Sequence, residues 1–243
     1  MKIGVLGAGV MGGGIAQVCA LAGDHVVCYD IASAALDEAR THATTGRFGL
    51  DGTVARGKVT REEADAALER ITFTASFAEA ATTDLVIEAV PERLELKIRV
   101  FRDLDRVAPP ATILASNTSG LPIAALAAST DRPDRVIGWH WASPAPVMKL
   151  AEIVVTPETS AETIATVTAA ATRCGKHPIV VKDNPMQWGF VANRVYFAMV
   201  REAQRVVDEH IATRAEVDQL MMDCFRWPSG PFGMVAGAGS GWS

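Results

Sequence analysis

Residues 2–30, KIGVLGAGVMGGGIAQVCALAGDHVVCYD, run as strand, glycine turn, helix, strand and acid. Lys2–Leu6 is a short apolar run suited to a buried parallel strand. Gly7-Ala8-Gly9-Val10-Met11-Gly12 then has the G-x-G-x-x-G spacing, and Ile15, Val18, Cys19 and Ala22 recur at helical intervals. His25–Tyr29 is a second strand run, closed by Asp30, 18 residues after Gly12. Each part has work to do in holding a dinucleotide. Gly7 makes the tight turn, Gly9 lets a pyrophosphate approach the backbone, and Gly12 lets helix and strand pack closely. Val10 and Met11 open the helix, whose N-terminus offers free N–H groups and a positive dipole end to phosphates. The Asp30 carboxylate suits the two ribose hydroxyls of an adenosine and would repel the extra phosphate of NADP. Ile31, Ala32 and Ser33 provide no arginine to receive that phosphate. The stretch therefore predicts a site for NAD rather than NADP.

At 243 residues the chain has room for one large domain, or for a domain with a smaller partner. Its 49% hydrophobic and 21% charged residues are ordinary for a globular protein. A net charge of −5 argues against a nucleic-acid partner. Nothing resembles a signal peptide or a spanning helix, so the expectation is a cytoplasmic protein with no membrane partner. Cys19, Cys28, Cys174 and Cys224 lack C-x-x-C spacing. Neither a metal site nor a disulfide framework is expected, and all four read as buried free thiols.

Outward from the first unit, Ala32–Thr45 has helical composition and Gly46–Gly57 reads as a glycine-rich turn or loop. Thr60, with Glu63 three residues on, forms a capping-box signature for a helix to about Arg70. Ile71–Thr74 is a strand, Ser76–Ala81 a short helix and Asp84–Glu88 the next strand. Pro91 suits the first turn of the helix that carries Leu94, Ile98, Phe101, Leu104 and Val107. Thr112–Ala115 and Arg135–Trp139 are further strands, the latter ending at His140. Leu150–Thr156 is a β run, Thr159–Cys174 a helix and His177–Val181 a strand. This alternation predicts a doubly wound, mainly parallel Rossmann-type sheet, whose ligands lie at the carboxyl ends of the strands. Three polar clusters fall there: Glu88–Glu92, Ser116–Ser119, and His140 with Ser143. Past the loop Lys182–Trp188 the strands stop, and Gly189–His210 and Thr213–Cys224 read as two helices. The expected domains are 1–185, the NAD-binding α/β domain, and 186–236, a small all-helical domain. Residues 237–243, GAGSGWS, read as a tail or a linker remnant.

The chain resembles the 3-hydroxyacyl-CoA dehydrogenases over nearly its whole length. The stretches that carry the resemblance are KIGVLGAGVMGGGIAQVCA, DLVIEAVPERLELK, SNTSGLPI, GWHWASPAPVMKLAEIV, the Asn193-Arg194 pair of GFVANR, and RWPSGPF. It implies a Rossmann-type NAD domain followed by a helical domain that dimerises, and a place in fatty acid metabolism. It also implies oxidation of an (S)-3-hydroxyacyl-CoA to the 3-ketoacyl-CoA. Carried over residue by residue, the family's catalytic histidine falls on His140 and its orienting glutamate on Glu152. Its hydroxyl-binding serine falls on Ser119 and its helical-domain asparagine on Asn193. Glu92 and Lys97 match the acid and lysine near the nicotinamide-side ribose.

The chemistry suits those residue types. As hydride leaves C3 the hydroxyl proton must leave too, and an imidazole can take it. A carboxylate on the other ring nitrogen fixes the tautomer, and an acid inside the apolar run LAEIVV needs a partner. Ser119 has a second use as a cap for a helix from Leu121.

The chain departs from the family's usual HFFNP at His140-Trp141-Ala142-Ser143-Pro144, so Ser143 stands where an asparagine touches cofactor and substrate. Met186, Gln187 and Trp188 lengthen the loop before the helices, and the helical half is shorter than usual. Two other classes stay open: a related dehydrogenase of a free hydroxy acid or sugar acid, and an NAD-binding protein without turnover. Asp30→Ala is expected to relax the cofactor preference, read as the ratio of kcat/KM with NAD and NADP. A parent enzyme that already used both equally would remove the role given to Asp30.

Overall fold

β1 (Lys2–Leu6) and β2 (His25–Tyr29) pair in parallel, with α1 (Val10–Leu21) crossing between them. The crossing is tight because the turn is glycine. A Cβ on Gly12 would stand 1.7 Å from the Gly7 carbonyl oxygen. Gly7 has φ +98° and would meet the Ala89 carbonyl oxygen at 2.7 Å. At both positions of the turn, backbone atoms exclude a side chain.

The computed structural model describes residues 1–240. They fall in two units, Met1–Trp188 and Gly189–Ser243. In the first, α2 (Ser33–Thr44), α3 (Leu50–Ala55) and α4 (Arg61–Glu69) lead to β3 (Ile71–Thr74), and α5 (Phe77–Ala81) leads to β4 (Leu85–Glu88). Then come α6 (Leu94–Val107), β5 (Ile113–Ser116), α7 (Ile123–Ala127), β6 (Val136–Trp141), β7 (Leu150–Val155), α8 (Ala161–Arg173) and β8 (His177–Lys182). The eight strands form one sheet in the order β3-β2-β1-β4-β5-β6-β7-β8. Every neighbouring pair is parallel except β6 with β7. β4 and β5 are buried at every residue, as strands covered by helices on both faces must be. The fold is thus the mainly parallel Rossmann-type sheet expected, followed by a helical unit of α9 (Val191–Asp208), α10 (Arg214–Phe225) and α11 (Pro231–Ser240).

Several local expectations change. Residues 46–57 are not all loop: with Gly49 extended as N-cap, Leu50–Ala55 forms a short helix that fully buries Leu50. One apolar anchor outweighs the glycine content. Pro91 does not open α6, because Arg93 N–H bonds back to the Pro91 carbonyl at 2.7 Å and the helix starts at Leu94. The helical unit has a third helix, and residues 237–240 belong to it rather than to a tail. Asp218 explains its start, accepting from Phe232 N at 2.8 Å and Gly233 N at 2.9 Å. The rest of the stretch read as a tail, residues 241–243, lies outside the described residues. The capping box at Thr60 forms as its spacing required: Glu63 N donates to Thr60 Oγ1 at 3.1 Å and Thr60 N to Glu63 Oε2 at 2.8 Å.

Cysteine burial is uneven. Cys19, Cys28 and Cys174 are buried, with Cys19 and Cys174 Sγ atoms 3.8 Å apart, but Cys224 is exposed. Burial, with the Asp30 charge nearby, pushes the Cys28 thiol up to about 12. Native protein at pH 8 should therefore release one equivalent of chromophore promptly with Ellman's reagent and the other three only in denaturant. Two or more fast thiols would contradict the packing of α1 and α8.

Candidate active site

The glycine turn stands where the strand order reverses, between β1 and β4, which is the crevice such sheets offer to ligands. The turn fits a dinucleotide. A Cβ on Gly9 would meet nothing within 4 Å, and Gly9 caps α1 without any side chain. The first turn, at Val10 and Met11, is thereby left open to an anion. Asp30 sits at the end of β2, where Oδ2 accepts from Ala8 N at 2.8 Å and Oδ1 from Ala32 N at 2.9 Å. It braces the glycine turn, and each oxygen keeps further acceptor capacity for a ribose hydroxyl.

From that turn the first unit's other predicted site residues follow in the order of the strands: Glu92 and Lys97 after β4, Ser119 after β5, His140 in β6, Ser143 after it and Glu152 in β7. Beyond β4 and β5 is a closed ring of polar side chains. Glu88, fully buried at the end of β4, accepts from Lys97 Nζ at 2.7 Å, Val90 N at 2.8 Å and Ser116 Oγ at 2.6 Å. Thr118 N donates to Ser116 Oγ at 3.2 Å, and Thr118 Oγ1 donates to Glu92 Oε1 at 2.6 Å. Lys97 Nζ closes the ring 3.3 Å from Glu92 Oε2 and also donates to the Val90 carbonyl at 3.0 Å. Ser119 hangs from it through its N–H, which donates to Glu92 Oε1 at 2.8 Å. Burial pushes the Glu88 carboxyl up from its usual range, while Lys97 beside it pulls the other way. Lys97 is 1% exposed, and its three ammonium protons have three acceptors.

Ser119 does not cap a helix from Leu121: the helix begins at Ile123 after Pro122 with no side-chain cap, and Thr118 Oγ1 accepts from Gly120 N and Leu121 N in the turn before it. A threonine one residue earlier has the reach that the turn requires.

His140 and Glu152 face each other across the antiparallel β6–β7 ladder, with His140 Nδ1 and Glu152 Oε2 2.7 Å apart. Both are buried, at 5% and 3% exposure. His140 lies inside β6, not at its end, yet it is still at the sheet's carboxyl edge. β5 stops at Ser116, which pairs with Gly138, so β6 carries His140 two residues beyond, roughly 7 Å. Asn117 secures that overhang, its Oδ1 accepting from Trp141 N at 2.9 Å. Trp139 and Trp141 point to the opposite face, into the core. Ser143 is half-buried in the loop after β6. That loop reaches α1, since a Cβ on Gly14 would meet Ala145 Cβ and Pro146 Cδ at 3.3 Å. Asn193 is in the first turn of α9, in the other unit.

Glu88, Ser116, Asn117 and Thr118 had no assigned role in the sequence. The signal for Glu88 was present: an acid closing the apolar run LVIE demands a partner, as Glu152 does in LAEIVV. Among the described residues no group of three or more His, Cys, Asp or Glu side chains could hold a metal, and no helix is long and apolar enough to cross a membrane.

Known proteins match this chain along its length. The model of the 3-hydroxyacyl-CoA dehydrogenase NAD binding domain matches residues 2–184, and that of the 3-hydroxyacyl-CoA dehydrogenase C-terminal domain matches residues 189–243. A probable 3-hydroxybutyryl-CoA dehydrogenase of Bacillus subtilis is 42% identical, over 96% of this chain and 79% of the relative. A 3-hydroxyadipyl-CoA dehydrogenase of Escherichia coli is 40% identical, over 94% of this chain and 47% of its own length. The crystal structure of (S)-3-hydroxybutyryl-CoA dehydrogenase PaaH1 from Ralstonia eutropha superposes with a TM-score of 0.89 at 40% identity, covering 95% of this chain and 79% of that one.

Proposed function

We propose that this chain, which belongs to the 3-hydroxyacyl-CoA dehydrogenase family, uses His140 as the base that takes the substrate's hydroxyl proton. It is an NAD-dependent oxidoreductase, and the family's substrates are acyl-CoA thioesters. NAD, held at Gly7–Gly12 and Asp30, supplies the hydride acceptor when bound.

One observation supports the role of His140 above others: its Nδ1 meets the buried Glu152 carboxylate at 2.7 Å. That bond places the proton of the neutral imidazole on Nδ1 and leaves Nε2 as the accepting nitrogen. As Nε2 gains the hydroxyl proton, Glu152 faces an imidazolium and stabilises it in a site from which water is largely excluded. In the reverse direction His140 returns the proton to the oxygen. Ser119 holds that oxygen so that C3 presents its hydrogen to the nicotinamide side, and Asn193 keeps the substrate role that the resemblance gives it. Glu92 meets the nicotinamide-side ribose, Lys97 holds Glu92 in place, and Ser143 fills the space beside cofactor and substrate with a short hydroxyl.

The substrate inferred is a short-chain (S)-3-hydroxyacyl-CoA, in keeping with relatives named for 3-hydroxybutyryl-CoA. NADH oxidation should be fast with acetoacetyl-CoA, and kcat/KM should fall from C4 through C8 to C16 substrates. Equal values across the three would remove the short-chain preference, and turnover of free keto acids alone would remove the thioester. His140→Ala should lower kcat by about 10²–10⁴-fold, the usual range for a positioned base. Activity at the parent's level would rule His140 out.

A homodimer through the helical unit is part of the same proposal. Val195 is 66%, Ile211 70%, Leu220 64% and Phe225 57% exposed, an apolar load that a partner copy would cover. The four free thiols suit the reducing cytoplasm. Light scattering on the eluted protein should give twice the chain mass of 25.8 kDa, and a stable monomer at micromolar concentration would overturn the dimer.

A further inference from the structure

We infer that Glu88 is a positioning residue for the reaction, holding Ser119 and Glu92 in register from the buried end of β4. The inference rests on the roles proposed above for those two residues. It starts from a mismatch between burial and chemistry. Glu88 and Lys97 are 0% and 1% exposed, so neither meets substrate or solvent directly, yet burying them is costly. Nearby β4 and β5 are already paired along their length and buried at every residue, so the strands have their ladder bonds and packing without the ion pair. What the ring fixes is the pair of loops beyond the strands.

Each loop needs that help. Val90 N–H, just past β4, bonds to Glu88 Oε1 at 2.8 Å, which turns the chain toward Glu92. Ser116 Oγ, bonded to Glu88 Oε2 at 2.6 Å, in turn receives Thr118 N–H at 3.2 Å and sets the loop after β5. The two loops then meet directly: Glu92 Oε1 accepts from both Thr118 Oγ1 at 2.6 Å and Ser119 N at 2.8 Å. Glu92 is exposed, its side chain at 37%, and Lys97 at 3.3 Å restrains its other oxygen. Glu88 bonds Val90 N, Ser116 Oγ and Lys97 Nζ at once, tying the start of the loop after β4 to the end of β5 and to the lysine that restrains Glu92. Moving it shifts a ribose contact and a substrate-oxygen contact together. A displacement of about 1 Å in such groups can cost on the order of 100-fold in rate.

The test separates geometry from stability. Glu88→Gln should lower Tm and reduce kcat by roughly 10- to 100-fold, with KM for NAD rising more than KM for 3-hydroxybutyryl-CoA. Pairing Glu88→Gln with Lys97→Met removes the stranded charge, so Tm should recover while kcat stays low. Ser116→Ala, which deletes one neutral hydroxyl, should fold normally and lose several-fold in kcat. Recovery of kcat together with Tm in the double variant, or parent-like kcat and KM for NAD in Ser116→Ala, would overturn the inference. Ser119→Ala distinguishes the two levels. If it is impaired while Ser116→Ala is not, only the positioning role falls. If it has the parent's kcat, the proposed role of Ser119 falls first, and the inference with it.

Discussion

A carboxylate removed from water must be met by a cation or by N–H and O–H donors, and two glutamates impose that demand on this sheet. Glu88 ends β4 and Glu152 lies in the middle of β7, and both are essentially without solvent. Burial of either acid alone would be prohibitive, so each dictates its surroundings. Glu88 gathers Lys97, Ser116 and a backbone amide, and Glu152 takes His140. Apart from the dinucleotide turn, the site in the first unit is built around these two acids.

The second acid works through topology. β7 runs against β6, and the ladder sets His140 opposite Glu152. Side chains alternate along a strand, so a slip of one residue would turn Glu152 to the other face and leave both groups buried alone. The apolar neighbours enforce the register: Trp139, Trp141, Ala151 and Ile153 belong to the core on the opposite face. Core packing and the His140–Glu152 pair therefore select the same alignment. Antiparallel pairing also lets β6 continue past the end of β5, which carries a strand-interior histidine out to the edge where ligands bind.

Much of this was legible because the signals were local. The glycine spacing, Asp30 and the capping box at Thr60 are each satisfied within a few residues or one βαβ unit, and period and punctuation reveal them. The acid in LAEIVV was legible as a need, and its partner was guessed from a resemblance. Other features depended on neighbours distant in the chain. Leu50 makes a helix out of a glycine-rich stretch by filling a core space, and no local pattern announces that space. Asp218 starts a helix 13 residues later by capping Pro231–Ser240 from α10. Cys224 and the buried cysteines have similar local surroundings, and only packing distinguishes them.

Taken alone, the sequence determined the order of the strands and of most helices and the glycine turn that suits a dinucleotide, and it set the expectation of a ribose diol at Asp30. These follow from backbone sterics and hydrophobic period, which act over short stretches of chain. The tertiary structure decided how the remaining charges are used. Lys97 matches the family's lysine near the nicotinamide-side ribose, yet it is buried between two acids, and Ser116 and Thr118 read as strand-end polar residues, yet they join those acids into a ring. Partners such as Glu88 and Ser116 are 28 residues apart in the chain. Only the parallel pairing of β4 with β5 brings them within 2.6 Å, and whether a buried charge is tolerated depends on that distance.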